Sequence, residues 1–313
     1  MNLSVVMPVR NGELFIDNAL GQIQKNISPS DEVIVIDDGS EDSTPIHLDQ
    51  WLKVFPNLRV IRRPKIGLVE ALNLGIIEST NTWIARFDVD DIYDANRLNL
   101  QRKLIYPGTV AIFCDYRFFM NSSKNLGTIP TAILPDACTL SLISSQRSPH
   151  PGVVFNKDAA VEVGMYRGPD FPAEDISLWL RLNKVGKIHS VPEVLLQYRL
   201  SSNSVSHLNK LTISKKRLLI TSEIGIGTDP YESCLSNWRY ISSIYDKYPL
   251  ANERKILLLR DIKLYTRHFG KVMASTSRVR KIELEVIKNV SAYSAALNLY
   301  KGMLIRKTAR HFL

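Results

Sequence analysis

Three short acidic groups are the residues best equipped to do chemistry. Asp88-Val89-Asp90-Asp91 sets three carboxylates within four residues, directly after the apolar run at 83–87. Unpaired like charges at that spacing raise one another's pKa, and a hard divalent cation relieves the conflict. Mg2+ or Mn2+ suits the role, because these ions take one or two carboxylates and complete their shell with water and phosphate oxygens. The competing reading is a solvated acidic turn that caps a helix starting near Tyr93. Asp37-Asp38-Gly39-Ser40 is a second pair. It is either an ordinary turn composition or a site where Asp38 accepts from a base N–H while Asp37 meets a ribose. Glu174-Asp175 opens an amphipathic stretch. Acidic residues there suit a helix dipole; alternatively, Asp175 is a general base that takes the proton of an attacking hydroxyl. His150, in Ser148-Pro149-His150-Pro151-Gly152, is a lone histidine, a type more often structural than catalytic.

The surrounding segments alternate. Residues 3–9, 32–36, 58–62 and 83–87 are apolar, β-prone runs, whereas 13–26 and 67–77 carry apolar residues near a helical period. Ser43-Thr44-Pro45 reads as a helix start, with Thr44 as cap and Pro45 at the first helical position. Strands alternating with helices predict βαβ units and a mainly parallel α/β sheet. Such sheets bind ligands beyond the carboxyl ends of their strands. Arg10-Asn11, Asp37-Asp38 and Asp88 to Asp91 all fall at those ends, on one rim. Further along, 110–113 and 153–155 are strand-like, 176–185 is an amphipathic helix, and the chain after about 208 is helical. Phe155 and Trp179 are expected in the core, and Phe171 either there or as a sugar platform.

Composition narrows the class. The chain has 313 residues, is 45% hydrophobic and 23% charged, and so suits a globular domain with a sizeable core. No apolar run reaches the roughly 18–20 residues a bilayer span needs, and the first residues read as a strand, not as a secretion signal. Cys114, Cys138 and Cys234 are scattered and without C-x-x-C spacing, which argues for a reducing compartment and against a cysteine zinc site. Neither G-x-G-x-x-G nor a P-loop is present, disfavouring dinucleotide redox enzymes and P-loop NTPases. Charge is uneven. Residues 251–313 hold 14 Lys/Arg against 4 Asp/Glu, so a chain of net +9 is almost neutral before residue 251.

In order, the segments V-V-M-P-V-R-N-G at 5–12, V-I-V-I-D-D-G-S at 33–40, G-L-V-E-A-L-N-L-G-I at 67–76, I-A-R-F-D-V-D-D-I-Y at 84–93, H-P-G-V-V-F at 150–155, A-E-D-I-S-L-W-L-R-L at 173–182 and Q-Y-R at 197–199 resemble glycosyltransferase family 2, inverting enzymes with the GT-A fold. The resemblance spans about residues 3–206. It implies that Pro8, Val9, Asn11, Asp37 and Asp38 line the nucleoside pocket of a UDP-sugar, with Asn73 and Arg86 also on the donor. Asp88 and Asp90 would address ribose, diphosphate and Mn2+ or Mg2+, with Asp90 the first choice of direct ligand and Asp91 close by. Asp175 would be the base and Glu174 its support. The D-x-D-D form, flanked by Arg86 and Arg97, looks like bacterial enzymes of O-antigen or capsule synthesis. Their acceptors are commonly saccharides on a polyprenyl diphosphate, and inversion gives a β-linkage. Many relatives carry a histidine shortly after the Tyr-Arg pair; here Arg199 is followed by Ser201, and the nearest histidine is His207. His150, Arg199, Ser201 and His207 are therefore secondary site candidates.

These readings divide the chain into a GT-A domain at 1–207 and a helical, basic region at 208–313. The basic residues at 278–281 and 301–310 are either a solvated helical face or a contact with an anionic leaflet. The second option places the protein in the cytoplasm, at the inner face of the bacterial membrane. No basic-aromatic interleaving points to nucleic acid. Two alternatives remain: a sugar-1-phosphate nucleotidyltransferase, whose Gly-rich basic loop Pro8 to Gly12 matches poorly, and a non-catalytic nucleotide-sugar-binding protein.

Overall fold

The computed structural model describes residues 1–120, 125–144, 147–201, 209–225, 229–269 and 279. The expected alternation is present in its first half: β1 (Leu3–Val9), α1 (Ile16–Asn26), β2 (Glu32–Asp38), α2 (Thr44–Leu52), β3 (Leu58–Arg63), α3 (Leu68–Glu78) and β4 (Trp83–Arg86). There follow β5 (Ile92–Tyr93), α4 (Arg97–Arg102), β6 (Thr109–Phe119), β7 (Asn125–Ile129), α5 (Pro135–Ser144), β8 (Val154–Asn156), α6 (Lys157–Glu162), α7 (Glu174–Val185) and β9 (Lys187–Arg199). Two local expectations are corrected. Tyr93 opens no helix but pairs in β5 with Leu196 of β9. Ser43 holds the cap position of α2, and Thr44, already in the first turn, uses its hydroxyl to accept from the Gly12 amide at 2.8 Å.

The sheet runs β3-β2-β1-β4-β8-β6-β9-β5, with β7 beside β6. It is mixed rather than mainly parallel. β1 to β4 are mutually parallel, β8 is antiparallel to both β4 and β6, and β6 is parallel to β9. Two reversals cancel, so β6 and β9 point the same way as β1, β2 and β4. Their carboxyl ends therefore share one rim, while reversed β8 starts there. α7 precedes β9 and returns the chain along the sheet, which puts its N-terminus at the same rim.

Apolar layers cover both faces. α1, α2 and α4 close one side over Leu20, Ile23, Leu48 and Leu98, and α3, α5 and α7 the other over Leu72, Leu140 and Trp179. α3 lies so close to β1 that a Cβ on Gly75 would stand 2.3 Å from Val6 Cγ1. Trp179 and Phe155 are core residues, as expected, with exposures of 0% and 1%. The Trp179 ring packs at 5.6 Å on both Phe113 and Phe155.

Beyond β9 lie α8 (Lys210–Ile224), α9 (Asp229–Ser236), α10 (Trp238–Tyr245) and α11 (Ala251–Phe269). Ile220, Tyr231, Trp238, Ile241 and Leu258 enter the same buried cluster as α5 and α7, so residues on both sides of position 208 build one core. A buried ion pair reinforces the join. Arg254 on α11 meets both carboxylate oxygens of Asp115 on β6 and donates to the Thr131 carbonyl at 2.8 Å. Burial drives the Asp115 pKa up, and Arg254 opposes that rise. Removing one partner of a buried pair strands the other charge at a cost of about 3–5 kcal/mol. Arg254→Ala is thus expected to lose about that much in urea denaturation, and Asp115→Asn combined with Arg254→Met much less. Equal losses in the two variants would show that the pair's charges are not the cause.

Candidate functional site

The rim assembles side chains from four distant stretches. After β1, Asn11 ties two turns together: its amide donates to Ser40 Oγ at 3.0 Å, and its Oδ1 accepts from the Glu41 amide at 2.9 Å. Pro8 and Val9 end β1 and are buried. After β2, Asp37 accepts from the Ser40 amide at 3.0 Å. Asp38 accepts from the amides of Ile66 and Gly67 ahead of α3. A carboxylate offers about four acceptor positions, so Asp38 retains capacity for a base. Gly39, at φ +70°, lets that turn pass under the Lys65 amide, where a Cβ would meet nitrogen at 2.8 Å.

The acidic cluster follows β4. Asp88 is held at its main chain by Tyr93, whose hydroxyl accepts from the Asp88 amide at 2.6 Å, and at its carboxylate by Arg86 Nη2, also at 2.6 Å. Asp90 is partly buried and forms no salt bridge among the described residues. Burial and the Asp88 charge push its pKa up to about 6. Asp91 is 2% exposed and uses Oδ1 to accept from the Arg199 amide at 2.7 Å, which ties the cluster to the end of β9. Burial, then Asp88 and Asp90, drive its carboxyl well above the usual range.

Beneath the cluster sits Arg86, 2% exposed, which donates to the Phe87 carbonyl and to Asp88. It is the floor of the site and not a surface group reaching a donor. Behind it Arg97, wholly buried, lies over the Phe87 and Tyr93 rings at 4.2 and 4.9 Å. Its Nη2 donates to the carbonyls of Arg86 and Val153. One turn on, Gln101 donates to Ile112 and Gly152, so α4 stitches β4, β6 and the start of β8 together.

Glu174 and Asp175 begin α7 and face the same floor. Trp179, four residues on and so on the same helical face as Asp175, anchors this helix in the core. Burial and the neighbouring Asp175 push Glu174 up to about 7. Burial, with a smaller contribution from Asp88, pushes Asp175 up to about 6. Asp88 and Arg86 act on both groups although they lie more than eighty residues earlier in sequence, so the two acidic groups share one pocket. Phe171, before the helix, is 37% exposed and free to meet a ligand.

His150 enters in a short turn ahead of β8, its Nε2 standing 2.9 Å from the Tyr166 hydroxyl. Burial, with Arg86 nearby, lowers its pKa well below normal, which keeps the ring neutral. Asn73 is a tether: both ends of its amide bind the Tyr166 main chain, at 2.9 and 3.0 Å. Ser201 follows β9, half-buried, and His207 lies outside the described residues. Tyr93, Tyr166 and Lys216 escaped sequence reasoning. Tyr93 had a signal, three residues after Asp90; the others had none. Lys216 of α8 donates to the carbonyls of Pro169 and Phe171, gripping the loop that leads into Glu174. A separate cleft of about 330 Å³, between Asp94, Pro192, Glu193 and Leu250, contains none of the rim carboxylates.

Among the described residues, no three metal-binding side chains converge into a cage. The crowded carboxylates of Asp90 and Asp88 would suit a hard cation that they hold in part, with phosphate oxygens and water completing its shell.

Comparison with known proteins identifies the family of the chain. The model of the Glycosyl transferase family 2 family matches residues 4–150. The UDP-Gal:alpha-D-GlcNAc-diphosphoundecaprenol beta-1,3-galactosyltransferase of Escherichia coli is 30% identical over 209 residues, covering 64% of this chain and 75% of that one. The chain belongs to glycosyl transferase family 2. This membership removes the nucleotidyltransferase alternative. Another family 2 relative, the amylovoran biosynthesis glycosyltransferase AmsE of Erwinia amylovora, is 25% identical over 202 residues, with 61% of this chain and 73% of that one covered. Among solved structures, a mannosyltransferase from Pyrobaculum calidifontis in complex with GDP-Man and Mn2+ superposes with a TM-score of 0.59 at 14% identity, over 97% of this chain and 85% of that one. TarS 1–349 of S. aureus with UDP-GlcNAc gives 0.56, again at 14% identity, over 99% and 92%. At such identity these likenesses establish the GT-A fold alone.

The raised carboxyls make this family 2 site a source of pH-dependent stability. A carboxyl whose folded pKa exceeds its unfolded value stabilises the fold at low pH, and that contribution is lost as pH rises through the folded pKa. For Asp175 the loss runs from about 3.8 to about 6, and for Glu174 from about 4.5 to about 7. Arg86 offsets it by facing the ionised forms. Arg86→Met is expected to destabilise by about 3 kcal/mol or more near pH 8, and by clearly less near pH 5, where those carboxyls hold protons. Urea melts at the two pH values check this; a penalty independent of pH would refute it.

Proposed function

We propose that this family 2 protein is an inverting, metal-dependent hexosyltransferase. It takes a Glc, Gal or GlcNAc-type sugar from UDP and forms a β-linkage to a saccharide carried on a polyprenyl diphosphate, as in O-antigen or capsule synthesis. One observation carries the reading: Asp88 to Asp91 and Glu174-Asp175, more than eighty residues apart in sequence, both face one buried floor, Arg86. Displacement at an anomeric carbon needs an electrophilic grip on the leaving diphosphate and a base on the opposite side, and these two groups supply that division of labour. The Escherichia coli relative, a UDP-Gal:alpha-D-GlcNAc-diphosphoundecaprenol galactosyltransferase, supports the donor and acceptor classes.

The chain's own groups divide the work as follows. Asn11, Asp37 and Asp38 hold the nucleoside at the turns after β1 and β2, leaving the diphosphate near Asp88 and Asp90. A divalent cation, Mn2+ or Mg2+, held by Asp90 and Asp88 would supply charge neutralisation on the departing nucleoside diphosphate. Asp175 accepts the proton of the acceptor hydroxyl as that oxygen attacks. A carboxyl near about 6 is ionised at neutral pH yet more basic than an ordinary aspartate, as a general base requires. Glu174, higher still at about 7, is partly protonated there and can donate to a sugar hydroxyl. Neutral His150, bonded to Tyr166, lies near the Arg86 floor.

Asp175→Asn is expected to lower turnover by about 10²- to 10⁴-fold while UDP affinity and folding persist; near-normal turnover would sink the base assignment. Excess EDTA should abolish transfer and added Mn2+ restore it, and full activity in EDTA would refute the metal role. A panel of UDP-Glc, UDP-Gal, UDP-GlcNAc and GDP-Man with a GlcNAc-diphosphate-lipid acceptor, read by product linkage, tests the donor, the acceptor and inversion together. The basic residues at 271–313, outside the described residues, are proposed to bring the enzyme to an anionic membrane surface on the cytoplasmic side. No described helix is long and apolar enough to cross a membrane. Each Lys or Arg near such a surface adds about 1 kcal/mol. A chain ending at residue 270 should sediment less with anionic liposomes; undiminished binding would remove this proposal.

A further inference from the structure

Arg199 ends β9 at the rim, and its surroundings are more specific than those of an ordinary strand-end arginine. Its guanidinium lies between two rings, 4.9 Å from the Phe15 centroid and 4.5 Å from that of Phe119. Phe15 belongs to the turn between β1 and α1, which carries Asn11, and Phe119 is the last residue of β6. From this slot Nε donates to the Asp90 carbonyl at 2.7 Å. The Arg199 amide separately donates to Asp91 Oδ1 at 2.7 Å. One residue thus grips the main chain of Asp90 and the side chain of Asp91, and leaves the Asp90 carboxylate outside both contacts.

The two grips are chemically separable. The amide contact survives any substitution except proline, so Asp91 stays tied to β9 whatever side chain stands at 199. The Nε contact needs a planar donor at a fixed distance and angle, which a stacked guanidinium provides and an ammonium on a flexible stem does not. The aromatic slot lowers the rotational freedom of the arginine before any ligand binds. The guanidinium reaches Asp90 in two ways, by its Nε bond to the main chain and by its charge, which favours the ionised carboxylate.

We propose that Arg199 is a positioning residue that locks the Asp90 main chain so that its carboxylate faces the donor-bound cation. This rests on the metal role given to Asp90 above, and it extends that role to a residue acting through another. The arginine fixes the direction of the ligand and contributes little to the nucleoside pocket. Its removal therefore weakens the metal-dependent part of donor binding and leaves the metal-independent part in place.

The test is calorimetric titration of UDP into the full chain with and without Mn2+, using wild type, Arg199→Met, Arg199→Lys and Phe119→Leu, each checked for folding by circular dichroism. Arg199→Met is expected to weaken UDP binding in Mn2+ by about 10- to 100-fold, the size seen when groups orienting a metal ligand are removed. Its affinity without Mn2+ should be unchanged. Arg199→Lys and Phe119→Leu should fall between the two. Retention of the full Mn2+ enhancement in Arg199→Met, or an equal loss with and without Mn2+, overturns the proposal. If Arg199→Met fails to fold, Phe119→Leu decides by the same comparison. A wild-type chain whose UDP affinity ignores Mn2+ overturns both this proposal and the metal role beneath it. A wild type that responds to Mn2+ beside an unaffected Arg199→Met overturns this one alone.

Discussion

Five carboxylates crowd one rim above the buried Arg86 guanidinium, and the site is organised around that imbalance. Arg86 pairs directly with Asp88 and also lowers the cost of ionising Asp90, Asp91, Glu174 and Asp175. Burial raises most of these carboxyls above their ordinary pKa, and Arg86, helped at Asp90 by Arg199, does not offset it. Such a site is poised to take up positive charge or a proton. In the proposed reaction a divalent cation with its donor would meet the first need, and an acceptor hydroxyl losing its proton the second.

The geometry that creates the imbalance follows from the sheet. β8 is reversed between β4 and β6, and this keeps β6 and β9 running with the N-terminal strands. Their carboxyl ends thus reach the rim that Asp38 and Asp88 already occupy, and α7 presents its N-terminus there. The helix dipole favours ionised Glu174 and Asp175, while burial opposes it; the raised pKa values show that burial wins. Arg97 and Gln101, one helical turn apart, hold three strands together behind the floor by donating only to carbonyls. Arg97 supports the floor without adding a salt bridge to the acidic rim.

The helices after β9 are part of this arrangement. They share a core with α5 and α7, and Arg254 reaches Asp115 on the central strand β6. Lys216 grips the carbonyls just before Glu174. The helical region therefore braces the loop that leads into Glu174.

The sequence alone determined the strand–helix alternation, because burial of both faces of a parallel sheet leaves continuous apolar runs, and amphipathic helices leave a 3.6-residue period. It also determined which residue types stand at the strand ends, and so the acidic groups and the family resemblance. It did not reveal that β8 is reversed, since three apolar residues carry no sign of direction. Nor could it tell that Arg86 lies beneath the cluster, that Asp91 faces a strand end, or that Asn73 binds a main chain. Burial of a polar side chain depends on what packs against it from elsewhere in the chain. Tyr166, Lys216 and Arg199 gain their partners only when segments far apart in sequence meet, and that meeting was decided by the tertiary structure. Asp90 and Asp175 could be named from the family resemblance, but the floor they share comes from the fold.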